Sequence, residues 1–135
     1  MSTASSAQQH YFVLANNYER RALLENLVKK NRPNATVKVF AHPSAMKEFL
    51  ETQRDKGVSL SSPDQALAVI SDRFLPNIKP EDEPEYNHFQ GTKNVLDEFT
   101  NYFDNVALLE ISKFDTSDPY EEPDFSSVKK SLNFN

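Results

Sequence analysis

The stretch LAVISDRFLP, Leu67–Pro76, runs through four apolar residues and a serine, stops on an acid at Asp72 and meets a proline four positions later. An unbroken apolar run of this length is expected of a strand covered on both faces, as in a parallel sheet; a strand with one wet face alternates instead. We read the strand as Gln65 to Ser71. A carboxylate directly after it has two readings. Asp72 either caps the loop that follows or belongs to a site built where strands run out.

Outward from this strand, apolar periodicity switches repeatedly between the strand and helix periods. YFVLAN, Tyr11–Asn16, reads as a first strand, and Asn17 is a suitable N-cap for the helix YERRALLENLVKKN. In that helix Leu23, Leu24, Leu27 and Val28 share one face. TVKVFA, Thr36–Ala41, is a second strand. Pro43 opens a second helix with Ala45, Met46, Phe49 and Leu50 inward, and Gly57 ends it.

Beyond Asp72, the segment RFLPNIKPEDEPEYNHFQ carries three prolines and the acids Glu81, Asp82, Glu83 and Glu85, and reads as a long exposed loop. Gly91 precedes a third helix, TKNVLDEFTNYF, with Val95, Leu96, Phe99 and Phe103 inward. NVALLEIS, Asn105–Ser112, is a fourth strand. DFSSVKKSL reads as a closing helix capped by Asp124 or Ser126, with a very short fifth strand near Tyr120. Strands separated by helices imply right-handed crossovers. The expectation is therefore an α/β fold, a doubly wound and mostly parallel sheet with helices on both faces and an atypical C-terminal part.

Composition narrows the function classes. A chain of 135 residues suits one domain, read as 10–135, behind a disordered start at 1–9. There is no cysteine, so no disulfide frame, thiolate metal site or cysteine nucleophile. Two glycines are too few for glycine-rich phosphate loops. No apolar run approaches the ~20 residues that cross a bilayer, and a cytoplasmic protein without membrane attachment is expected. Residues 1–70 carry nine Lys/Arg against six Asp/Glu, whereas 71–135 carry six against fourteen. An acidic second half repels phosphate backbones, so no nucleic-acid partner is expected. His10, His42 and His88 show no ligand spacing, and no metal site is read from them.

In an open α/β sheet, ligands bind outside the carboxyl ends of the strands. Here those ends carry Asn16-Asn17, His42, Asp72 and Ser112. This constellation, from roughly Phe12 to Ser112, resembles the receiver domain of bacterial response regulators in two-component signalling. AVISDRFLP resembles the receiver segment in which a strand ends in the phospho-accepting aspartate, with a proline four residues on; Asp72 and Pro76 take those positions. FVLANNYERRALLENLVKK is similar to the receiver start, with Asn16 and Asn17 where the family has a pair of acids. Ser112 stands where the family has the Thr or Ser that contacts the phosphoryl group. Glu122-Pro123 stands where a Lys-Pro pair precedes the last helix.

The departures carry the functional expectation. A hard divalent cation demands oxygen ligands with formal charge, and Asn16 and Asn17 offer neutral carbonyl oxygens beside the single carboxylate of Asp72. Each charge lost at a partly buried site removes roughly one to several kcal/mol of attraction, so Mg²⁺ would be held weakly if at all, and no cofactor is expected. Glu122 would repel a phosphorylated acceptor where a lysine would pair with it. Only nine residues separate Ser112 from Glu122, too few for another helix and turn.

The resemblance therefore implies a degenerate, pseudo-receiver-like module that signals through protein contacts, with Phe114, Tyr120 and Phe125 as an aromatic docking patch and a homodimer as one form of contact. Two alternatives stay open: a response regulator phosphorylated on Asp72 with support from Ser112, and a flavodoxin-like binder of a small ligand. Asn17 as a helix cap and Ser112 as a loop hydroxyl are the structural readings of the same residues.

Overall fold

The computed structural model describes residues 10–15, 18–72, 88–111 and 126–134. Four strands, β1 (His10–Leu14), β2 (Thr36–Phe40), β3 (Leu67–Asp72) and β4 (Val106–Ile111), form one all-parallel sheet in the order β2-β1-β3-β4. Helices α1 (Tyr18–Asn31), α2 (Pro43–Asp55) and α3 (His88–Glu98) connect them, and α4 (Ser126–Leu132) follows β4. The fold is doubly wound α/β.

Alternation along the strands divides the core in two. Tyr11, Val13, Ala68 and Ile70 face Leu24 and Val28 of α1 and Leu132 and Phe134 of the C-terminal segment. Phe12, Leu14, Leu67 and Val69 face Met46 and Leu50 of α2 and Val95, Leu96 and Phe99 around α3. Helices thus cover both faces, as the unbroken apolar runs require. Each large apolar side chain fully buried here contributes roughly 1.5–3 kcal/mol. Phe12 also meets Phe40 and Phe49 edge-on, with ring centroids 5.4 and 5.6 Å away.

The helix ends follow from local chemistry. Pro43 stands in the first turn of α2, and Gly57 closes it in the left-handed region at φ 73°. Gly57 N–H donates to the Arg54 carbonyl and Val58 N–H to that of Gln53, at 3.0 and 2.9 Å. That is a Schellman stop. The same motif closes α4, with Asn133 at φ 59° and Phe134 N–H donating to the Lys129 carbonyl at 2.8 Å. Arg32, just past α1, clasps this end. Its guanidinium donates to the carbonyls of Leu132 and Asn133 at 3.4 and 3.3 Å and lies 5.0 Å from the Phe134 ring centroid.

Several expectations need correction. The third helix begins at His88, not after Gly91, so the loop read as 73–90 loses its last three residues to α3. Gly91 lies inside the helix because of what faces it. A Cβ there would approach Pro43 Cγ to 3.1 Å, so the missing side chain lets α3 close on the start of α2. The helix ends at Glu98, and Thr100–Tyr102 is a 3-10 turn, with Phe103 beyond it in extended backbone. Leu23 is exposed, because Leu24 and Val28 already fill the contact with the sheet. β3 extends one residue further than read, and Asp72 is its last member; Gln65 instead pairs with Ser62 in an isolated bridge. The expected disorder at 1–9 and the short strand near Tyr120 lie outside the described residues.

Gly91→Leu tests the close approach. Helix propensity alone favours Leu by about 1 kcal/mol, but overpacking against a buried proline ring costs about 1–3 kcal/mol. Urea unfolding should show a net loss of stability, and a gain would refute the contact. His10 supplies a second test. Partial burial at the start of β1 lowers its pKa from the ordinary value, with desolvation as the cause. A base that resists protonation when folded makes the unfolded chain bind more protons below pH about 6.5, so stability falls as pH drops through that range. The loss of unfolding midpoint between pH about 7.5 and about 5.5 should be smaller in His10→Gln than in the unaltered chain.

Candidate functional site

In a doubly wound sheet the crevice lies where successive connections leave in opposite directions. β1 leads through α1 to β2 on one side, and β3 leads through α3 to β4 on the other, so the switch point is between β1 and β3. The register places Leu14 opposite Ser71, Ser71 opposite Glu110, and Asp72 opposite Ile111. The backbone of Asp72 therefore stands at the carboxyl end of β3, beside the end of β1, at the mouth of that crevice. Ala15 closes β1 there; its N–H donates to the Phe40 carbonyl at 3.1 Å, and it is fully buried.

Of the residues singled out at the strand ends, His42 is placed as the N-cap of α2, and Asp72 is placed by its backbone. Its side chain and all of Asn16, Asn17, Pro76, Ser112, Phe114, Tyr120 and Phe125 lie outside the described residues, as does Glu122. Their immediate neighbours in the chain, Ala15, Asp72 and Ile111, sit at one end of the sheet. Among the described residues no group of three His, Cys, Asp or Glu side chains could hold a metal ion.

Two features of this end had no signal in the sequence. Ser71 and Thr92 are both fully buried, and their hydroxyls share a hydrogen bond of 3.1 Å. An unpaired hydroxyl at that depth would cost about 1–3 kcal/mol, so the bond ties the second turn of α3 to the strand residue beside Asp72. The other feature is Arg21. One turn into α1, its guanidinium donates to the Ala15 carbonyl at 2.7 Å, holding a cation at the end of β1 next to the crevice. The Tyr18 ring lies 5.8 Å from the Arg21 Cζ and is itself largely exposed. A bond to a carbonyl six residues earlier depends on the path of the loop, so no spacing rule would have found it.

No protein-family model matches the chain, and no curated protein matches it. A solved structure described as the crystal structure of a response regulator from Colwellia psychrerythraea is similar over 96% of this chain and 80% of that one, with 18% identity and a TM-score of 0.45. A likeness of that degree adds nothing to the strand order, from which the switch point follows directly.

Thr92→Val leaves the Ser71 hydroxyl buried without its partner and should lower stability by about 1–3 kcal/mol in chemical denaturation. Ser71→Ala in the same chain should restore part of that loss. A double-mutant cycle with strictly additive effects would show that the pair is not coupled.

Proposed function

We propose that this chain is a receiver-like signalling module of the cytoplasm that acts by binding a regulatory protein, or a second copy of itself, without a Mg²⁺-dependent phosphorylation cycle. One observation supports the reading above the rest: the topology puts the backbone of Asp72 at the β1/β3 switch point, where β1 leads directly into the neutral pair Asn16-Asn17. The Arg21 guanidinium on the Ala15 carbonyl adds positive charge at the place where a metal cation would need negative charge.

The position of Asp72 also favours a second reading, in which it accepts a phosphoryl group. Ligands in a doubly wound sheet bind outside the carboxyl ends of the strands at the switch point, which is where the backbone of Asp72 stands. Calorimetry and mass spectrometry divide the two. Mg²⁺ titration of the unaltered protein should show no tight stoichiometric uptake, and intact mass after incubation with acetyl phosphate and Mg²⁺ should show no phosphoryl adduct. Asn16→Asp with Asn17→Asp should strengthen Mg²⁺ binding by on the order of tenfold or more. A stoichiometric adduct that disappears in Asp72→Asn would overturn the first reading and select the second. A thermal-shift response to a flavin or nucleotide would favour the small-ligand binder over both.

A further inference from the structure

On the α2/α3 face of the sheet, those two helices cover β1 and β3, while α4 packs on β4 from the opposite face. β4 therefore has one side without a helix among the described residues. Val106 and Leu108 point to that side and are only half-buried. Between them and α3 runs a groove of about 340 Å³, lined by Leu96, Phe103, Val106 and Leu108, with Lys93 and Asp97 of α3 on its rim. One end is held rigid, because Ser61 Oγ accepts hydrogen bonds from the backbone N–H groups of Asp104 and Asn105 at 3.1 and 3.4 Å.

The groove continues the helix layer begun by α2 and α3, so its natural occupant is another helix lying alongside α3. A small molecule fits poorly, since the polar residues of the rim are exposed and none converges from within. Charge narrows the occupant further. The charged residues lining the groove are Asp97 and Asp104 against Lys93. We infer that this groove docks an amphipathic helix from a partner protein, with apolar residues at i, i+4 and i+7 on its inner face and lysine or arginine on its flanks. The inference rests on the protein-binding reading above and assigns it a surface away from the switch point.

The test uses the full chain without Mg²⁺ or phosphodonor, so its outcome is independent of the assays on Asp72. The probe is a designed peptide helix with leucines at i, i+4 and i+7 and lysines elsewhere. Its control has the same composition with the leucines scattered around the helix. Fluorescence anisotropy should show the patterned peptide binding at least about tenfold tighter than the control, with amide shifts confined to α3 and β4. Leu108→Asp should abolish that difference, whereas Val39→Asp on the far edge strand should leave it intact. Should Leu108→Asp fail to fold, the exposed pair Asp97→Lys and Asp104→Lys should weaken the lysine peptide and strengthen a glutamate version of it. Equal binding of patterned and scattered peptides would sink the proposal. So would a dimer of the free chain that Leu108→Asp dissociates, or an absence of peptide binding together with a large stability loss in that variant, since each assigns the groove to this chain itself.

Discussion

Everything in this structure depends on keeping β3 dry. Leu67 to Ser71 have no solvent exposure, and the strand is paired on both edges. A strand so placed satisfies its backbone only through its neighbours and its side chains only through helices on both faces. The chain must then supply helices on both faces, which it does with α1 and α4 on one side and α2 and α3 on the other. The hydroxyl of Ser71 is the one polar side chain inside the strand, and Thr92 answers it from α3. That bond joins α3 to β3 beside the residue that ends the strand.

Asp72 follows directly from this constraint. Once β3 is buried on both faces, the first position at which an acid is tolerated is where the sheet ends and water begins. A strand-terminal aspartate is therefore permitted by physics before it is required by function. What lifts it above a loop cap is its lateral position. β1 and β3 are neighbours whose connections diverge, so the carboxyl ends of these two strands border the crevice of the fold. An acid at the end of edge strand β2 would border nothing comparable.

The order of elements was legible because each signal was local: continuous apolar strands, an apolar helix stripe at Met46 and Leu50, Gly57 in a left-handed stop. The errors fell where a distant partner decides. Gly91 reads as a helix boundary on propensity, yet Pro43, far earlier in the chain, makes glycine the residue that fits inside α3. Leu23 belongs to the apolar stripe of α1 by spacing, but the stripe is wider than the sheet beneath it. Of the candidate site, the place was legible and the surroundings were not. The strand-to-acid pattern marks Asp72, whereas the Arg21 contact and the hydroxyl pair exist only because loops bring separated residues together.

The two ends of the functional argument are set by charge, and they point in different directions. At the switch point the sequence follows β1 with two amides, and Arg21 donates to the carbonyl of Ala15 just past the strand. Across α3 and β4, acids outnumber bases while apolar side chains of β4 stay half-exposed. Net acidity alone would mark a solvated surface, and an apolar groove alone would mark incomplete packing. Together on one face they describe a surface suited to a basic amphipathic partner, because the groove rewards apolar contact and the surrounding acids select the charge that flanks it.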